Sequence, residues 1–187
     1  MPYFDDTTFE SLKPGELEKG NYENCQFSQC DFQGDNWSGF KFTDCSFEDC
    51  NLSLVKLSGA GFSDVQFSQC KMRGLRFEEV NPLGFDVKFH HCALNDSSFY
   101  ALSWRNPTFY HCDLENVDFT EAQMKKAVFI GSNLLNAVFD RTNLTESDFR
   151  TAVNVRLHPN LNTVKNAIFS PEHAASLLQF FGIKIGA

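Results

Sequence analysis

Residues 22–57 read YENCQFSQCDFQGDNWSGFKFTDCSFEDCNLSLVKL, with an apolar residue at every fifth position: Tyr22, Phe27, Phe32, Trp37, Phe42, Phe47, Leu52 and Leu57. The same step continues through Phe62, Phe67, Met72 and Phe77. It slips once and resumes as Phe89, Leu94, Phe99, Trp104, Phe109, Leu114, Phe119, Met124, Phe129, Leu134, Phe139, Leu144 and Phe149. Fourteen of the 21 phenylalanines fall on these 25 centres, so the unusual Phe content is a periodic feature. The residue two before a centre is mostly small or modest, with Asp35, Phe40 and Pro107 as exceptions, and all seven cysteines sit there: Cys25, Cys30, Cys45, Cys50, Cys70, Cys92 and Cys112. The other three positions are mostly polar.

Neither common secondary structure accommodates a period of five. Five helical residues advance about 500°, so an apolar stripe would drift by ~140° per repeat. On a straight strand an odd step throws successive centres onto opposite faces. Two inward residues spaced by two, followed by a change of direction, satisfy both slots. The chain must turn once per pentapeptide and coil around its own core.

Stretches such as Cys50-Asn51-Leu52-Ser53, Ser132-Asn133-Leu134, Thr142-Asn143-Leu144-Thr145 and Cys112-Asp113-Leu114 resemble the pentapeptide-repeat consensus of small residue, Asn/Asp, Leu/Phe, small polar residue and Gly. The resemblance covers residues 20–151. It implies an all-β solenoid, a right-handed quadrilateral β-helix with about 20 residues per coil. Cys30, Cys50 and Cys70 are spaced by 20, as are Cys92 and Cys112, whereas Cys70 to Cys92 is 22. A two-residue insertion within residues 79–86 restores one column of five cysteines. The expected loop centres on Asn81, Pro82, Leu83 and Gly84. Some seven coils at the strand spacing give a rod about 35 Å long.

Solenoid ends need caps. Residues 1–19 are expected to form an irregular opening coil around Phe4, Phe9, Leu12 and Leu17. Residues 152–187 are expected to form a C-terminal segment with a short α-helix over about 171–181, begun by Ser170 as N-cap and Pro171 at N1 and ended by Gly182. Its apolar residues Leu177, Leu178, Phe180 and Phe181, with Ile183 and Ile185 in a strand-like tail, either cap the rod or form a homodimer interface. The ending SLLQFFGIKIGA resembles the C-terminal dimerisation segment of topoisomerase-protecting pentapeptide-repeat proteins.

The formal net charge of −8 argues against direct capture of nucleic acid or an anionic membrane surface. Residues 1–50 hold 11 acids and 3 bases, and residues 51–187 hold 13 of each, so the imbalance lies in the first fifty residues. The acidic surface residues singled out are Asp31, Asp44, Glu48 and Asp49, then Asp113, Glu115, Asp118 and Glu121. No apolar run has the ~18 residues of a membrane span, and the start lacks signal-peptide features. Seven cysteines without disulfide-scaffold density fit a reducing cytoplasm. The repeat points them inward, where reduced Cys acts as a small hydrophobe. No metal, cofactor or catalytic residues are expected, because hydroxyls and carboxylates follow the repeat and are not gathered in a cleft.

The resemblance extends to the immunity-type members that protect DNA gyrase and topoisomerase IV from quinolones, microcin B17 or albicidin. It rests on Asp49–Leu54, on Cys92–Tyr100, on the single interruption near Pro82 and on Ala175–Leu178. It implies DNA mimicry: an acidic rod of near-duplex width entering the basic saddle of a type II topoisomerase. The alternative is a structural or adaptor solenoid that binds some other protein.

Overall fold

A computed structural model describes residues 1–184. Eleven short strands occur among them: β1 (Tyr3–Asp5), β2 (Thr8–Glu10), β3 (Asn21–Glu23), β4 (Gln26–Ser28), β5 (Lys41–Thr43), β6 (Ser46–Glu48), β7 (Gly61–Ser63), β8 (Val65–Ser68), β9 (Val87–His90), β10 (Thr108–Tyr110) and β11 (Val128–Ile130). All pair in parallel. One sheet runs β1-β3-β5-β7, the other β2-β4-β6-β8-β9-β10-β11. They form the first and second faces of a four-sided parallel solenoid. Columns of single bridges, Asp31–Asn51–Lys71–Ala93–Asp113–Asn133–Val153 and Arg76–Ser98–Asp118–Val138 among them, mark the third and fourth faces.

The change of direction demanded by the period of five has a definite backbone form. Two residues beyond nearly every centre, the chain enters the left-handed region, as at Asn24, Asp44, Asp64, Asp96 and Asn116, with φ between 49° and 61°. Among the described residues 22 non-glycine residues have positive φ, and 11 of them are Asn or Asp. These are the L-residues that tolerate this conformation best, because their short polar side chains bond locally to the backbone. That preference explains the polar fifth position of the repeat.

Turning so sharply leaves backbone groups at the corners that the ladder does not always reach. Many third- and fourth-face corners close themselves, as in Val55 N–H to Leu52 C=O (3.2 Å) and Ala122 N–H to Phe119 C=O (3.1 Å). Elsewhere the inward slot of the next coil does the work. Cys112 N–H donates to Ser132 Oγ (3.0 Å), whose hydroxyl donates to Phe109 C=O (3.2 Å). Ser97 joins Leu75 N–H and Met72 C=O in the same way. Asn162 uses its amide oxygen for Thr142 N–H (2.9 Å) and its amide nitrogen for Phe139 C=O (3.0 Å). The cysteine thiols reach the equivalent carbonyls, Cys50 to Phe27, Cys70 to Phe47 and Cys112 to Phe89, each at 3.5 Å. All seven cysteines are free and buried. Burial pushes the Cys30 and Cys45 thiols up, to about 11 and about 12, so they act as weak donors and small fillers rather than as thiolates. Asp35, which breaks the small-residue pattern, sits in this slot and accepts a bond from Gly15 N–H (2.9 Å). It closes a corner of the opening coil.

The centres stack in columns. On the second face nine phenylalanines run continuously from Phe9 through Phe27, Phe47, Phe67, Phe89, Phe109, Phe129 and Phe149 to Phe169. Neighbouring ring centroids lie 4.4–5.6 Å apart with planes within 18°. The column crosses the interruption because β8 pairs with β9 in the register Phe67↔Phe89, which absorbs the two extra residues on the first face. It also outruns the visible repeat at both ends. Phe4 and Phe9 stack on Tyr22 and Phe27, at 4.7 and 4.9 Å, so the first coil is laddered to the rest. Beyond residue 151, Thr163 and Ile168 still bridge Asn143 and Asp148, and Phe169 closes the column. Helix α1 (Pro171–Leu178) follows, with Ser170 Oγ accepting from His173 N–H, then a 3₁₀ turn over Gln179–Phe181 and Gly182 at φ 71°. Residues 183–184 form no strand, and Ile185 lies outside the described residues.

Ser132→Ala strands a buried N–H and a buried carbonyl and is expected to lower unfolding stability by about 1–3 kcal/mol. Ser132→Cys, which extends the thiol column, is expected to cost roughly half as much or less. Phe109→Ala, in mid-column, is expected to cost about 3–5 kcal/mol. Denaturant melts of the three variants check these values.

Candidate protein-binding surfaces

Along each face the residues flanking a centre, and the left-handed corner residue after it, point outward. The count of five therefore fixes where every charge sits. Asp44, Glu48 and Asp49 border the second face of one coil, and all three are exposed. Asp31 lies on the third face one coil earlier, where its Oδ1 accepts from Gln33 N–H and from Asn51 Nδ2. Asp113 and Glu115 lie on the third face and Asp118 on the fourth, three coils beyond Asn51, with Glu121 at the fourth face's corner. The eight carboxylates thus fall into two groups and form no single continuous stripe.

Much of the second group is engaged within the protein. Both Asp113 carboxylate oxygens accept amide protons, from Asn133 (2.9 Å) and Asn95 (2.7 Å). Asp118 Oδ1 accepts Thr120 N–H. Glu121 takes two bonds from the Arg141 guanidinium (3.1 and 2.9 Å) and one from the Tyr100 hydroxyl (3.2 Å). The hydrogen bond to Glu121, with the nearby Asp140 charge, raises the Arg141 pKa. Such contacts leave the first group as the more available negative surface.

That group has neighbours the sequence reading did not single out. Asp5, Asp6, Glu23 and Asp64 line the first face or its edge below the interruption, and Asp86 ends the interruption itself. Asp64 pairs with Lys88 (3.1 Å), and Glu23 accepts the Tyr3 hydroxyl (2.6 Å). Stepping by 20 from Asp44 reaches Asp64, so the coil period itself carried the signal. Beyond the interruption the first face reverses sign, with Arg105, Lys125, Lys126 and Lys165 outward and Glu146 held by Lys125 and Lys126 at 3.4 and 3.5 Å.

The interruption is a tight loop. Val80 and Phe85 are buried, and Leu83 N–H bonds back to Asn81 Oδ1 (3.0 Å). Gly84 takes φ 74°, a left-handed value that glycine adopts at no steric cost. Pro82 and Gly84 are exposed, and Leu83 projects with 86% of its surface free. Beyond Glu48 and Asp49 on the second face, His90, His91, Tyr110 and His111 form an outward ladder, with the His91 and His111 rings parallel at 5.2 Å. Among the described residues no group of three or more His, Cys, Asp or Glu side chains is placed to hold a metal ion. Likewise, no described helix is long and apolar enough to cross a membrane.

At the C-terminal end Leu177 packs against the core. Leu178, Phe180, Phe181 and Ile183 are 37–49% exposed. Phe180 also rests on the His158 ring (4.8 Å). Of the residues assigned to this apolar segment, all but Leu177 and the undescribed Ile185 are therefore exposed one by one.

Residues 21–99 match the family model described as a pentapeptide repeat region, and residues 105–134 and 122–152 match that of pentapeptide repeats in eight copies. Comparison with curated protein sequences gives no match. Among solved structures, the chain is similar to two trypsin-treated forms of QnrB1, a plasmid-mediated fluoroquinolone resistance protein. One aligns with a TM-score of 0.64 at 14% identity over 99% of each chain. The other aligns with a TM-score of 0.58 at 17% identity over 99% of this chain and 100% of that one. With its repeat matched over most of its length and the same solenoid architecture, this chain belongs to the pentapeptide-repeat family.

Proposed function

We propose that this protein is a binding rod that occupies the DNA-gripping surface of a bacterial type II topoisomerase, DNA gyrase or topoisomerase IV, and protects the enzyme from quinolones or gyrase-poisoning peptide toxins. The observation that carries the reading is the end-to-end correspondence of its solenoid with that of a fluoroquinolone resistance protein. The distribution of charge supports it. Exposed carboxylates on the first coils give a negative edge that a basic DNA saddle would attract, and long-range attraction of this kind accelerates encounter.

The mimicry is partial. Duplex DNA carries one charge per ~1.7 Å of axis, nearly three per coil of this rod, against roughly one net charge per coil here. Shape and a few placed acids must therefore carry recognition, and Asp44, Glu48 and Asp49 are the natural contacts, with the loop at Asn81–Gly84 two coils further along the rod. Asp113 and Glu121 serve the rod's own surface first. The protein works by binding in the cytoplasm, without catalysis, cofactor, membrane or direct nucleic-acid contact. It acts as a homodimer in which Leu178, Phe180, Phe181 and Ile183 meet their counterparts. A two-fold contact of this kind joins two rods end to end.

In a gyrase supercoiling assay with enzyme from the native host, the purified protein is expected to restore activity in the presence of a quinolone or a peptide poison. Absence of both protection and inhibition at micromolar concentrations would favour an adaptor role with another partner. Asp44→Lys, Glu48→Lys and Asp49→Lys together should raise the concentration needed for protection about tenfold or more, with circular dichroism unchanged. Leu178→Asp with Phe181→Asp is expected to give monomers in sedimentation velocity. A variant that remains dimeric would confine the helix to capping its own rod.

A further inference from the structure

The two ends of the rod are finished differently. The C-terminal end carries α1 and its 3₁₀ extension, whereas no other described residue covers the outer edge of the first coil. In the β1–β3 ladder Asn21 N–H bonds Pro2 C=O and Asp6 N–H bonds Glu23 C=O. In β2–β4, Gln26 N–H bonds Thr7 C=O and Ser11 N–H bonds Ser28 C=O. Alternation along a parallel pair then turns the N–H and C=O groups of Tyr3, Asp5, Thr8 and Glu10 toward the open end. The Thr7 hydroxyl covers the Asp5 carbonyl (2.8 Å). Beside these groups Phe4, Phe9 and Leu12 are only partly buried, and the rings of Phe4 and Phe9 rest on Tyr22 and Phe27 with their other faces toward the end.

An edge with these features matches one occupant best, the same edge of a second copy. Only another coil presents strand edges and aromatic columns at matching separations, and a two-fold axis through the corner between the first and second faces would set β1 of each copy against β2 of the other as antiparallel pairs. The charge opposes this. Residues 1–23 contain Asp5, Asp6, Glu10, Glu16, Glu18 and Glu23 against Lys13 and Lys19. A head-to-head contact would bring two such sets within a Debye length, about 10 Å at 0.1 M salt. We infer that the N-terminal coil is a self-docking surface held open by its own carboxylates, so that the acidic start of the chain keeps the rod from stacking end to end. This protective role requires no topoisomerase.

The test is sedimentation velocity of the full chain carrying Asp5→Asn, Asp6→Asn and Glu10→Gln, substitutions that keep the side-chain shapes and suit the left-handed corner at residue 6. At about 0.1 M salt the variant's weight-average mass is expected to rise with concentration to roughly twice the parent's or more. The rise should persist with Leu178→Asp and Phe181→Asp added, which separates it from association through the C-terminal helix. Adding Thr8→Pro, which deletes an outward N–H and no ladder bond, should reverse it. The unsubstituted chain should begin to associate in the same way at about 1 M salt, where the Debye length falls to ~3 Å; this arm decides the matter if the triple variant fails to fold. A folded triple variant that sediments like the parent at every concentration would overturn the inference, as would association insensitive to Thr8→Pro.

Discussion

The structure depends on the corner. A chain that turns a corner every five residues must enter the left-handed region at nearly every repeat and must satisfy the amide and carbonyl groups that each turn exposes. The first demand selects Asn, Asp and Gly just past each centre. The second is met by self-closing turns or by the inward hydroxyl, thiol or amide of the next coil, as Ser132 does for Phe109 and Cys112. A coil is therefore complete only when another lies on it, a nearest-neighbour dependence expected of solenoids. The phenylalanine columns add to this dependence. Each ring is desolvated by the one above and the one below, so cohesion along the axis comes from identical contacts repeated and not from one central core.

This explains how much of the molecule was legible in its sequence. The period of five, the four-sided count and the two-residue slip between Cys70 and Cys92 all follow from residues that point inward, where packing permits few substitutes. The ends were less legible because their side chains do the same jobs with different residues. Asn162 fills a slot usually given to a small residue by spanning both corner groups with its amide. Phe4 and Phe9 belong to the ladder although their coil is shorter than the rest. Asp35 looks like a violation until its bond to Gly15 is seen. In each case the physical requirement, a partner for an orphaned backbone group or ring, stays constant while the residue type changes.

The candidate binding surface was harder to read, for a related reason. Outward positions are unconstrained by packing, so a carboxylate there carries a location but no role. Asp113 and Asp44 are equivalent as letters, yet one accepts two amide protons from Asn95 and Asn133 while the other stands free at a corner. A coil-by-coil map, which adds Asp64 to Asp44 by the step of 20, locates the negative edge better than linear charge runs do.

Two explanations for that edge now compete on physical grounds. A surface shaped to imitate DNA should hold its charges along the length that the partner grips, with spacing tuned to that partner. A surface that guards an open sheet edge should concentrate charge on the terminal coil and let it fall away along the rod. The distribution has something of both. Asp5, Asp6 and Glu10 crowd the strands at the open end, while Asp44, Glu48 and Asp49 lie two coils further in, too far to protect that edge directly. The net charge of the first fifty residues therefore need not have a single cause. Its terminal part answers a problem that any uncapped solenoid faces, and only the inner part calls for a partner.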